Sequence, residues 1–237
     1  MDKQHLETYQ IVYRFEKSGN PVIEYTLRVD RHNWSLENPM QNNADWTVLS
    51  KNQCPNCPLN STEQLHCPAA INLQLIGNEW ESYKSYDPIH VDVLMEGKTI
   101  SGETTVQIGL SSLVGFLLAT SDCPHLSFFR PLARFHQPLT QPESVGLRVL
   151  MSFLAYNQLK NEHNSDLKHR IAQIYENIEI VNSALTRRVE QTANENASVQ
   201  AMVQLDCLSK LVPMSLDESY LQLEEIFRPY EQLKQGR

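Results

Sequence analysis

Two periods divide the chain. In the first half, apolar residues alternate with polar ones; from about residue 109 onward they recur at every third or fourth position. Alternation marks a strand with one buried face, and the longer spacing marks an amphipathic helix. Ile11, Tyr13 and Phe15 share one face of a first strand, Ser18-Gly19-Asn20-Pro21 supplies turn residues, and residues 22–29 alternate again. That combination predicts a hairpin. A second hairpin is predicted over residues 89–95 and 99–106, joined through Glu96-Gly97-Lys98, with His90 facing outward. Trp46-Thr47-Val48-Leu49 reads as a short strand, which makes an antiparallel sheet of about five strands.

The helical pattern begins with a buried apolar segment at residues 109–120. Thr140, Pro142 and Glu143 form a helix start ahead of Val145, Val149, Leu150, Phe153 and Leu154. Asn164 or Ser165 caps the next helix, whose stripe is Leu167, Ile171, Ile174, Ile178, Val181 and Leu185. A further helix is predicted from about residue 196 to 211, stopping at Pro213. Residues 192–196 read as a mobile connection, and Ser215 with Glu218 as a capping box for the last helix, with Tyr220, Leu223, Phe227 and Tyr230 on one face. The expected fold class is α+β: an N-terminal antiparallel sheet with a cysteine-rich loop and buried helix (residues 1–137), and a C-terminal helical bundle half (residues 138–237). The two are expected to form one integrated unit.

Composition narrows the function classes. The 237 residues carry a net charge of −8 and no basic run, which argues against a nucleic-acid partner and against an anionic membrane surface. The longest apolar stretch, residues 109–119, is too short to cross a bilayer, and residues 1–7 are polar rather than a secretory signal. The expected compartment is the cytoplasm, where thiols stay reduced, so the five cysteines do not read as a disulfide framework. No glycine-rich phosphate loop, nucleophile elbow or metalloprotease helix is present.

The cysteines carry the chemistry. Cys54-Pro55-Asn56-Cys57-Pro58 is followed by His66-Cys67-Pro68 and, much later, by Cys123-Pro124-His125, a C-x2-C-x9-C-x55-C pattern. Four of the five cysteines precede proline, although the chain has only twelve prolines, so the pairing is not a matter of composition. Proline biases the residue before it towards an extended conformation, which holds a thiolate on stiff, non-helical backbone while later amides stay free to point at the sulfur. Four such elbows suit a four-cysteine site made of Cys54, Cys57, Cys67 and Cys123. Many zinc-binding turns place glycine after the second cysteine of the pair; Pro58 stands there and cannot take a positive φ. That and the remote fourth cysteine favour an iron–sulfur cluster of the 4Fe–4S type over one structural zinc ion. His66 and His125 are read as neighbours of the site or substitute ligands. Cys207, which lacks a following proline, is read as a packing residue.

Two further patterns bear on function. Arg130, Arg134 and His136, set among aromatic residues, can form a contact for an anion or a partner, or the arginines can pair with the protein's own acids. Cys123-Pro124-His125-Leu126 resembles the Cys-Pro-His-Cys sequence of thiol-disulfide oxidoreductases, but leucine stands at the resolving position.

The chain also resembles a bacterial family known only as a domain of unknown function. The resemblance rests on Ile11-Val12-Tyr13-Arg14-Phe15, Gln53-Cys54-Pro55-Asn56-Cys57-Pro58-Leu59, Cys67-Pro68-Ala69-Ala70-Ile71-Asn72-Leu73, Gly109-Leu110-Ser111-Ser112-Leu113, residues 119–136 and Leu211-Val212-Pro213-Met214-Ser215. It implies a bacterial cytoplasmic protein built as one unit, and brings no activity or site residue with it. The expected function is therefore a metal-binding protein, structural or redox-sensing, whose helical half serves a protein partner or self-association. The alternative is an enzyme using the cysteine site for electron transfer or thiol redox chemistry.

Overall fold

Ile11, Tyr13 and Phe15 alternate with partly exposed neighbours and become the buried side of the first strand, as strand geometry requires. The computed structural model describes residues 7–37, 43–140, 142–161, 166–191 and 197–235. Strands β1 (Thr8–Glu16), β2 (Ile23–Asp30), β3 (Pro88–Met95) and β4 (Lys98–Thr105) form one antiparallel sheet in the order β2-β1-β3-β4. Tyr13 pairs with Tyr25 on one side and Val93 on the other. The β3–β4 hairpin closes through Glu96 and Gly97, with Gly97 at φ +75°, a conformation that glycine adopts without a steric penalty.

The sheet has four strands, not about five. Residues 45–49 form a short 3-10 turn, Asp45–Thr47, and a single bridge between Val48 and His66. The Thr47 hydroxyl bonds back to the Ala44 carbonyl at 2.7 Å, and Arg188 takes the carbonyls of Trp46, Val48 and Leu49. Those carbonyls are the acceptors that a strand ladder would need.

Helix α1 (Pro68–Leu73) follows Cys67, and α2 (Val106–Ala119) lies against the buried face of the sheet. A Cβ at Gly109 would stand 3.0 Å from a Val91 methyl and 3.2 Å from the Phe15 ring, so glycine sets how closely α2 approaches the sheet. Trp80 is fully buried beside this layer, edge-on to Phe15 and donating its indole N–H to the Tyr25 hydroxyl at 2.7 Å. A short helix, α3 (Arg130–Arg134), comes next.

The remaining helices are α4 (Pro142–Lys160), α5 (Leu167–Glu190), α6 (Ala197–Met214) and α7 (Leu216–Gln235). Helix α6 runs past the expected stop, with Pro213 in its last turn. Ahead of the last helix, the Ser215 hydroxyl donates to the Val212 carbonyl at 3.0 Å. The expected cap at Asn164 or Ser165 and the connection at residues 192–196 lie outside the described residues. Leu167, Ile171, Ile178, Val181 and Leu185 of α5 are buried, and Tyr175 fills the stripe where Ile174 was expected.

The chain divides into two compact units: Met1–Leu139 with Asn177–Asp206, and Thr140–Glu176 with Cys207–Arg237. The second half of α5 thus belongs with the sheet and the cysteine segment. The second unit, where α4 and α7 pack together, carries an open apolar groove of about 470 Å³ lined by Met151, Leu154, Tyr220, Leu223, Phe227 and Tyr230. Among the described residues, no helix is long and apolar enough to cross a membrane.

Candidate metal centre

Proline shapes each cysteine turn in the way its geometry dictates. Cys54-Pro55-Asn56-Cys57 closes with the Cys57 N–H donating to the Cys54 carbonyl at 3.0 Å, and Pro55 takes the second turn position that suits its fixed φ. Cys123-Pro124-His125-Leu126 repeats the design, with the Leu126 N–H on the Cys123 carbonyl at 3.1 Å. Cys67 is extended, at φ −67° and ψ 119°, immediately before Pro68 opens α1. Its N–H reaches the Thr47 carbonyl at 2.7 Å.

The two Cys-Pro turns meet. Asn56 and His125 hold equivalent positions in them, and His125 Nε2–H donates to the Asn56 carbonyl at 2.8 Å. A carbonyl only accepts, so this nitrogen carries the proton and His125 acts as a tie between turns. Asn56 Nδ2 in turn donates to the Asn177 carbonyl (3.1 Å) and side-chain oxygen (3.0 Å), which fastens the first turn to α5. The buried Asn56 Oδ1 has no hydrogen-bond partner among the described residues.

All four Cys-Pro thiols share this neighbourhood. Cys67 and Cys123 are buried, Cys54 and Cys57 partly so. Burial pushes the Cys54 thiol up to about 11, and the neighbouring Cys67, Cys123 and Cys57 push in the same direction, while Arg188 opposes them. Cys123 is likewise raised to about 11 by burial; the backbone N–H groups of Leu126 and His125, aimed at its sulfur, pull it down, and Cys67 and Cys57 push it up. Among the described residues, no three His, Cys, Asp or Glu side chains are arranged to hold a metal ion as they stand. The thiols are therefore electrostatic neighbours whose sulfurs do not close around one point.

His66 stands at the edge of this group. The Thr47 hydroxyl spends its proton on Ala44, so His66 Nδ1 must donate to Thr47 Oγ1 at 2.8 Å. That fixes the tautomer and leaves Nε2 as the lone-pair nitrogen. Arg188 completes the surroundings from α5 with four backbone carbonyl acceptors in residues 46–52. Local sequence reading passed over it, yet it carried a signal: Arg188 falls three residues after Leu185, a core position of the apolar stripe. Asn177 had none.

Each of the other expected residues has a contact of its own. Arg130 pairs with the Asp122 carboxylate at 2.5 Å, Arg134 lies over the Trp34 ring at 5.0 Å, and His136 Nε2 bonds the buried Tyr13 hydroxyl. Cys207, expected to pack, is exposed. His90 is on the outer face as expected, bonded to Glu103 at 2.8 Å.

The donor set fits a metal–thiolate centre chemically: four soft sulfurs, backbone N–H groups aimed at one of them, and a buried cation nearby. Comparison with curated proteins finds no match, and comparison with solved structures finds none either. The sequence model of one family covers residues 11–228, the sheet, the cysteine turns and most of the helices together, and the chain belongs to that family, described as Domain of unknown function (DUF6901).

Proposed function

We propose that the protein binds metal through Cys54, Cys57, Cys67 and Cys123, and that the occupant is an iron–sulfur cluster of the 4Fe–4S type. The observation that carries this reading is the meeting of the two Cys-Pro turns with Cys67 in one electrostatic neighbourhood. Thiols so placed disfavour one another's ionisation until a cation joins them. Bound there, a cluster supplies one-electron transfer or a redox-sensitive staple.

The chain's own residues hold and orient the ligands. Pro55, Pro68 and Pro124 stiffen the elbows, His125 ties the two turns, and Asn177 and Arg188 fasten the cysteine loop to α5. Binding free energy becomes folding free energy, because ligands so distant in sequence meet only in the folded state. In this reading the protein works in a bacterial cytoplasm, and the apolar groove between α4 and α7 is the surface offered to a partner or a second copy. One structural zinc on the same residues is the second reading, favoured by His66, whose Nε2 is a donor zinc takes readily.

Anaerobic purification followed by a visible spectrum and metal and sulfide analysis decides. A brown protein with iron and acid-labile sulfide, lost in Cys54→Ser and Cys123→Ser, is expected. A colourless protein with stoichiometric zinc selects the second reading, and a folded, metal-free protein with reactive thiols overturns both.

A further inference from the structure

The apolar stripe of α7 runs further than its cover. Leu216 and Leu223 are buried, whereas Phe227 is 40% exposed and Tyr230 63% exposed. Their rings stand edge-on with centroids 5.4 Å apart and form one aromatic wall of the open groove in the second unit; Met151 and Leu154 line it from α4. A surface helix ordinarily keeps its apolar stripe under cover, and a contiguous stripe left open marks a place where another surface docks.

The rim of the groove says what fits there. Glu224 and Glu231 line it as well, both exposed, and neither carboxylate has a partner among the described residues. They are seven residues apart, two turns of helix, and so form one acidic edge. Arg228, between them in sequence, reaches Glu225 at 3.7 Å instead, and Lys168 at the Tyr220 end is paired with Asp217. A second copy of this chain suits such a rim badly. It would bring its own Glu224 and Glu231 to the same seam, on a molecule of net charge −8, and like charges facing across an interface cost affinity.

We propose that the groove binds an amphipathic helix of another protein, apolar on one face and basic along one edge. From Tyr220 to Tyr230 the groove follows about 15 Å of helix, room for roughly three turns of an occupant. Its apolar side chains, at helical spacing, fill the floor, and Lys or Arg residues about seven positions apart pair with Glu224 and Glu231. This deepens the partner surface named above and stands whatever the cysteines hold.

The test pans a displayed library of helical peptides against the full-length protein, with one apolar face fixed and Lys, Glu or Gln free along its borders. Peptides held by the wild type but not by Phe227→Ser with Tyr230→Ser are kept; both changes fall on exposed side chains. The kept peptides are expected to carry Lys two turns apart. By fluorescence anisotropy, a kept peptide is expected to bind about tenfold more tightly or better than its twin with Glu for every Lys. Glu224→Lys with Glu231→Lys is expected to reverse that preference. Glu63→Lys with Glu81→Lys makes the same change in net charge on exposed residues outside the groove, and is expected to leave the preference intact. Circular dichroism checks the fold of each variant. Kept peptides that are neutral or acidic, or an equal loss in the remote double variant, overturn the basic helix as occupant. A wild-type dimer in sedimentation that Phe227→Ser with Tyr230→Ser dissociates gives the groove to a second copy, which overturns this inference and leaves the docking surface standing. A monomer that holds no peptide removes both, and metal content measured on the same preparations judges the cysteine reading separately.

Discussion

Two cysteine thiols are held among other thiols in buried turns, and another lies exposed on a helix. Cys54 and Cys123 are raised from an ordinary value of 9.0 to about 11 by burial first, with their neighbours adding to it. Cys207 is exposed on α6. In the metal-free protein at pH 8, iodoacetamide should therefore modify the exposed Cys207 first, with the buried Cys54 and Cys123, raised to about 11, slower. Peptide mapping of a timed alkylation reads this directly; equal rates at all three would contradict the burial described. The sign for stability follows from the same shift. A thiol raised on folding keeps its proton longer in the folded chain, so its contribution is full below about pH 9 and lost as pH rises through about 11. Chemical denaturation of the metal-free protein across that range should show a falling midpoint.

The helix that covers the sheet holds two glycines with opposite roles. At Gly109 an added Cβ meets a Val91 methyl at 3.0 Å and the Phe15 ring at 3.2 Å; at Gly115 the nearest atom is a Leu205 methyl at 3.6 Å, ordinary contact. Gly109→Val should destabilise by about 2 kcal/mol or more, as overpacked cores do. Gly115→Ala should stabilise by up to about 1 kcal/mol through helix propensity. Urea midpoints of the two variants test both, and a stabilised Gly109→Val would show that α2 does not press on the sheet there. The alternation of Ile11, Tyr13 and Phe15 made β1 legible, because a strand's period is set by backbone geometry. Trp46-Thr47-Val48-Leu49 looks similar over four residues but becomes a turn, since its carbonyls are taken by a guanidinium from α5.

Across the whole molecule, the cysteine loop is fastened to two distant places, the turn after α2 and the second half of α5. Cys123→Ser should lower metal occupancy and weaken hydrogen-exchange protection at residues 50–75 and 119–136. Because Asn177 and Arg188 grip the same loop, protection should also drop over residues 177–190, while residues 140–160 and 167–176, in the second unit, keep theirs. The apolar stripe alone would keep the whole helix packed. Uniform protection along α5 in the variant would return that simpler picture.

What the sequence determined by itself was local. Proline dictates the backbone of the residue before it, so Cys54, Cys67 and Cys123 were readable as stiff elbows without any fold, and periodicity separated strands from helices. Tertiary structure decided what those elbows face. Cys123 joins the other three because α2 carries the chain across the sheet and returns it to the loop. Arg188 serves that loop because a buried cation settles where the most unpaired carbonyls are, and no one-dimensional spacing encodes that. The pairing of His125 with Asn56, and of Asn56 with Asn177, belongs to the same class: hydrogen bonds between groups far apart in sequence obey distance and direction in space, which leave no period along the chain.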